Sequence, residues 1–148
     1  MATTARLVIV DCTTGWSDRV RYYDLFVFED AIVVTTGSMK GIVTEGGLVA
    51  GRAPRTGRRA RVRIDDARVH PRRNQTVGEL LTGDRAAVVV RAEEIVEARL
   101  RRGVVNSRLL LVLRDGARRK FLWLRGHNDY AEVRDGLGAV LGDRLRSG

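Results

Sequence analysis

Cysteine, histidine and lysine are nearly missing from this sequence. Cys12 is the lone cysteine, so no intramolecular disulfide can form. It follows the apolar run 7–10 and has no activating neighbour, so a buried, unreactive thiol is expected. His70 and His127 have no metal-ligand spacing with it, and two histidines cannot fill a zinc site. His127 is expected to be a local hydrogen-bonding residue. No apolar run approaches the ~18 residues of a membrane span, and no signal peptide opens the chain. A cytoplasmic protein is expected, with peripheral attachment to a membrane as an alternative. Phosphate-cradling glycine loops are missing too, and Ser17, Ser38 and Ser107 lack the strand–turn–helix setting of a nucleophile. Glu93 and Glu94 read as solvated charge. These gaps leave no enzyme, cofactor or metal reading.

What is abundant is arginine. The chain has 148 residues, a net charge of +9 and a pI near 11.0, and of its 27 basic residues only Lys40 and Lys120 are lysines. Such a balance suits an acidic partner: a protein surface, an anionic lipid or a nucleic acid. A GC-rich genome would also favour arginine over lysine. The densest run is Arg52, Arg55, Arg58, Arg59, Arg61 and Arg63, with Arg72 and Arg73 beyond it. Guanidinium forks bind phosphate and carboxylate oxygens in pairs, so these eight are the candidate binding residues. The competing reading is a solvated loop. Trp16, in a polar turn, is a further candidate contact.

The stretch 93–142 organises the rest. From 95 to 101, Val96, Ala98 and Leu100 alternate with Glu97, Arg99 and Arg101, the period of a half-buried strand. Residues 109–113 are continuously apolar, which predicts a strand covered on both faces. Asp115-Gly116 then suits a hairpin turn, and 120–124 returns with Phe121 and Trp123 on one face and Leu122 and Leu124 on the other. Asp129 and Glu132 have capping-box spacing, and Tyr130, Val133, Leu137, Val140 and Leu141 form one helical stripe ending at Gly142. Gly136 and Gly138 each weaken that helix by roughly 1 kcal/mol relative to alanine, which implies that packing holds it.

Earlier in the chain, 5–10, 20–28 and 31–36 read as strands, the second with Asp24, Phe26 and Phe28 opposing Leu25 and Val27. A flexible Gly/Arg-rich insertion is expected over about 38–74, holding at most a strand at 61–64. Thr76 and Glu79 begin a short helix ending at Gly83, with Val77, Leu80 and Leu81 on one face, and 86–90 reads as a strand.

The hairpin DLFVFEDAIVVTTGS, TVGELL, EEIVEARLRRG, LLLVLRDGARRKFLWL and a closing helix together resemble bacterial pleckstrin-homology-like domains, of the actinobacterial type. The resemblance implies a single mainly β domain over 1–148: a partly open antiparallel barrel of about seven strands capped by a C-terminal helix. The basic insertion and the short extra helix depart from that plan. Eukaryotic members often bind phosphoinositides through basic residues between the first two strands. The corresponding loop, 13–19, offers only Asp18 and Arg19, so that role is not carried over. The expected function is a non-enzymatic interaction module binding an acidic protein or an anionic membrane surface, with self-association also open. The alternative is a small nucleic-acid-binding barrel whose arginine run contacts phosphates. The aromatics committed to strand interiors argue against it, because such barrels stack bases on exposed rings.

Overall fold

A computed structural model describes residues 3–14, 22–36 and 72–147. The six arginines from Arg52 to Arg63, Trp16 and the expected strand at 61–64 lie outside the described residues.

Strands β1 (Leu7–Cys12), β2 (Tyr23–Val27), β3 (Ala31–Thr36) and β4 (Val88–Arg91) form an antiparallel sheet in that order. Strands β5 (Ile95–Arg102), β6 (Asn106–Leu113), β7 (Arg118–Leu124) and β8 (Leu145–Ser147) form a second sheet in the order β7-β6-β5-β8. Its first three strands are antiparallel, and β8 runs parallel to β5. Helices are α1 (Val77–Gly83) and α2 (Tyr130–Leu141). The class is mainly β, as expected, but eight strands are described rather than about seven. The additional one is β8, three residues too short to carry a periodic signal.

Among the described residues the sheets do not close into a barrel. They meet at two corners. At one, Thr13 and Leu122 exchange backbone hydrogen bonds of 2.7 Å, tying the end of β1 to β7. At the other, a 3-10 turn over Ala92–Glu94 carries the chain from β4 to β5. There the Ala92 N–H donates to the Asp30 carbonyl and the Arg114 N–H to that of Glu94, both at 2.8 Å.

Between the sheets lies the main core: Leu7, Ile9, Leu25 and Val27 from the first, Leu100, Leu109, Phe121 and Trp123 from the second, and Val133, Leu137 and Leu141 from α2. The helical stripe read from the sequence is therefore the face that packs. Asp129 caps α2 by accepting from the Ala131 and Glu132 N–H groups, and Gly142, at φ 56°, ends it. A second cluster occupies the opposite face of the first sheet, with Val8, Val10, Phe26, Phe28 and Val33 around Leu80 of α1. Burial on both faces explains why the alternation in 23–28 carries large apolar groups on each side. The Thr76–Glu79 capping box is present, but Leu81 is exposed and only Leu80 is fully buried on that helix.

Two local expectations are corrected. Val96 is exposed and Ile95 is buried in its place, because the pairing shifts between Ile95 and Glu97; one extra residue there makes a β-bulge that reverses the facing. The run 109–113 is covered on one face only. Leu109, Leu111 and Leu113 are buried, while Leu110 and Val112 are half-buried. Leu110 lies between Arg99 and Lys120, whose aliphatic stems can shield it while their charges stay in water. In the turn at Asp115-Gly116 only Gly116 has positive φ, 88°. The Gly116 N–H donates to the Leu113 carbonyl, and the Leu113 N–H to that of Ala117. The expected hairpin turn is thus a type I turn followed by a glycine bulge.

Candidate acidic-partner interface

Strand pleating sends alternate side chains to opposite faces. In the second sheet one parity places Leu100, Leu109, Leu111, Phe121 and Trp123 in the core, so the other must face outward. Its residues follow from the register. Arg101 stands opposite Arg108, which stands opposite Leu122; Arg99 opposes Leu110, which opposes Lys120. Arg118 lies beyond Val112, and Arg146 on β8 pairs in register with Arg99. Arg99, Arg101, Arg108, Arg118, Lys120 and Arg146 are all exposed.

The four strands of this sheet carry eight cations and one acid, Glu97. The first sheet carries one cation, Arg91, and two acids, Asp11 and Asp24. A sheet covered on both faces has little room for charge, so exposure alone explains part of this contrast. It does not explain the sign, because an ordinary solvated face mixes both. Glu97 accepts from Arg99 at 3.2 and 3.3 Å and stands 3.0 Å from the Arg146 guanidinium. The hydrogen bond from Arg99, aided by the Arg99, Arg146 and Arg118 charges, holds its carboxyl below the usual value against some desolvation. The remaining cations of the face give an acidic surface several anchoring points.

Arg72 and Arg73 do not join this face. The Arg72 guanidinium donates to the Thr35 hydroxyl and the Thr36 carbonyl, both at 3.3 Å, and lies 5.6 Å from the centre of the Phe26 ring. Arg73 donates to the Arg6 carbonyl. Both brace the first sheet. Asp84 belongs to the same brace, accepting from the Thr36 N–H at 2.7 Å, the Thr36 hydroxyl at 2.8 Å and the Ala86 N–H at 2.9 Å. Desolvation pushes its carboxyl up, but these donors together with the Arg72 charge outweigh it and hold the carboxyl low.

Buried polar residues gather where β1 meets the turn before α2. Asp11, at φ 58°, occupies a bulge in β1, and its N–H donates to the Asp24 carboxylate at 3.2 Å. Asn128 pairs its side-chain amide with both backbone groups of Val10, at 2.9 and 3.0 Å. His127 Nδ1 lies 3.6 Å from the Asp11 carboxylate. Cys12 is fully buried beside these acids; burial, reinforced by Asp24 and Asp11, pushes its thiol well up and away from a nucleophilic thiolate. The cluster has the chemistry of a structural joint. Among the described residues no group of three or more histidine, cysteine or acidic side chains is arranged to hold a metal ion. None of the described helices is long and apolar enough to cross a membrane.

No protein-family model matches the chain, and no curated protein matches it in sequence.

Proposed function

We propose that this chain is a non-enzymatic, pleckstrin-homology-like interaction module of the bacterial cytoplasm that binds an acidic partner through the outer face of its second sheet. The observation that carries the reading is the charge of that face: eight cations against one acid on four strands, with the six outward-facing cations exposed. The arrangement of two sheets with a C-terminal helix packed between their ends supports the pleckstrin-homology-like part of the reading. A nucleic acid is the second candidate, and the make-up of the face weighs against it. Phe121 and Trp123 point into the core, leaving Leu110, Val112 and Leu122 between the arginines, so among the described residues the face has no rings on which bases could stack.

The test is a variant with Arg99, Arg101, Arg108 and Lys120 changed to serine, assayed for binding to heparin and to anionic vesicles over a salt series. Binding through this face predicts that affinity falls steeply with salt in the native protein. In the variant it should be weaker and flatter in its salt dependence. Unchanged binding by the variant would remove the face from the function. Tight, salt-resistant binding to DNA or RNA would favour the nucleic-acid reading.

A further inference from the structure

One end of the basic sheet carries apolar side chains that the fold does not use. The turn joining β5 to β6 holds Val104, 87% exposed, and Val105, 65% exposed; Leu124, at the end of β7, is 50% exposed. They share one tip. Leu124 stands opposite Asn106 in the register, and the Arg125 N–H donates to the Val105 carbonyl at 2.9 Å. The turn is tight, since a Cβ on Gly103 would collide with the Asn106 carbonyl oxygen. Single exposed aliphatic residues are common and need no explanation. Three together at the point of a hairpin are a different case.

Their surroundings decide what they suit. Arg101 and Arg108 pair across the strands behind the tip, Arg102 ends β5, and Arg125 follows Leu124. The Arg102 guanidinium lies 5.8 Å from the centre of the Tyr130 ring. Arg102, Arg125 and Ser107 also line a cleft of about 350 Å³ beside the tip. An apolar point inside a collar of guanidinium groups is layered as a bilayer interface is layered. Aliphatic groups enter the boundary of the acyl chains, and arginines behind them reach the phosphates. Anionic lipids add attraction for each cation near the surface. A nucleic acid offers no apolar phase for valine and leucine, and a small tip gives a protein partner little area to bury.

We propose that the tip at residues 103–105, with Leu124, inserts into the interface of an anionic lipid bilayer while Arg101, Arg102, Arg108 and Arg125 engage the headgroup phosphates. The proposal rests on the acidic-partner reading and narrows it to a lipid surface. Penetration is shallow, within the roughly 5–10 Å of the headgroup and acyl boundary.

The full chain is tested by co-sedimentation with vesicles of phosphatidylcholine and phosphatidylserine in equal parts, and in parallel on heparin. The double variant Val104→Ser, Val105→Ser changes exposed groups only and leaves the core intact. It should bind the vesicles roughly tenfold or more weakly, from lost apolar burial, with heparin binding unchanged. A Val105→Cys variant labelled with an environment-sensitive dye should report an apolar setting on those vesicles and none on pure phosphatidylcholine; buried Cys12 stays unlabelled in the native protein. If the double variant binds vesicles as the native chain does, or the dye reports water throughout, insertion is overturned while the basic face stands. Binding to heparin or duplex DNA without binding to vesicles overturns the lipid partner alone. Binding to neither overturns both readings.

Discussion

Two glycines in one helix should respond to alanine with opposite signs. Gly136 and Gly138 both lie within α2, in ordinary helical conformation, so each replacement gains about 1 kcal/mol of helix propensity. Their surroundings differ. A Cβ at Gly138 would meet the Leu145 side chain at 3.8 Å, an ordinary contact. A Cβ at Gly136 would stand 2.9 Å from Leu7 Cδ2 and 3.1 Å from Leu7 Cβ. Leu7 is only 3% exposed and packed in the core, so it cannot swing clear. Forcing a methyl group into such a site costs about 1–3 kcal/mol. Gly138→Ala should therefore stabilise by about 0.5–1 kcal/mol, and Gly136→Ala should range from neutral to a loss of about 2 kcal/mol. Urea unfolding at neutral pH reads both from the midpoint, provided the slope is unchanged. A Leu7→Ala background supplies the control. With Cδ2 and Cγ gone and only the Leu7 Cβ left at 3.1 Å, Gly136→Ala should cost less than in the native background, a coupling that a double-mutant cycle measures directly. If Gly136→Ala stabilises the native background as much as Gly138→Ala does, α2 does not lie on β1 as described.

Leu137 is fully buried in the main core, so Leu137→Ala should cost about 2–5 kcal/mol in the same unfolding assay. A loss below about half a kcal/mol, the range of surface changes, would contradict the packing of α2. Asp84 has its carboxyl lowered in the folded protein, so its contribution is full above the ordinary carboxylate value of 3.8 and is lost as pH falls through the folded value. Asp84→Asn should be less stable at neutral pH and should lose less stability than the native protein on acidification; equal acid sensitivity would detach Asp84 from the brace around Thr36.

The parts of the fold legible in the sequence were those set by local rules. Thr76 with Glu79, and Asp129 ahead of an apolar stripe, marked helix starts through hydrogen bonds made within one turn. Phe121 and Trp123 alternated with Leu122 and Leu124, and their facing followed. What depended on a partner strand was hidden. The bulge at Val96 exists only relative to β6, and β8 is a strand only because the chain leaves α2 alongside β5. The basic face was hidden for the same reason. Its residues are scattered from Arg99 to Arg146 and converge only through the register, whereas the run from Arg52 to Arg63 stands out in a linear reading. A signal did exist: Arg99 and Arg101, and then Arg118 and Lys120, repeat at period two opposite the core parity. Aligning the strands by their apolar faces would have stacked them.

The joint between β1 and the turn before α2 gives the last prediction. Among the described residues β1 is an edge strand, bonded to β2 on one side and to β7 only through Thr13. Its other edge would leave the N–H and carbonyl of Val10 unpaired in a buried place, and the Asn128 amide satisfies both, much as a neighbouring strand would. An unpaired buried polar group costs about 1–3 kcal/mol. Asn128→Leu keeps the bulk and removes both partners, so a loss of about 2–5 kcal/mol is expected. Asn128→Asp is more telling. At neutral pH its carboxylate can accept from the Val10 N–H but would face the Val10 carbonyl with no proton to donate, close to buried Asp11. Burial and that neighbour raise its carboxyl in the folded state relative to the unfolded one. A raised folded value gives a contribution that is present at low pH and lost as pH rises. Asn128→Asp should thus be strongly destabilised at neutral pH, and its deficit against the native protein should shrink on acidification as the protonated acid regains a donor. Asn128→Leu should show no such recovery. Full stability of Asn128→Asp at neutral pH would mean that the amide pairing does not hold the edge of β1, and that Thr13 and Leu122 alone join the two sheets at that corner.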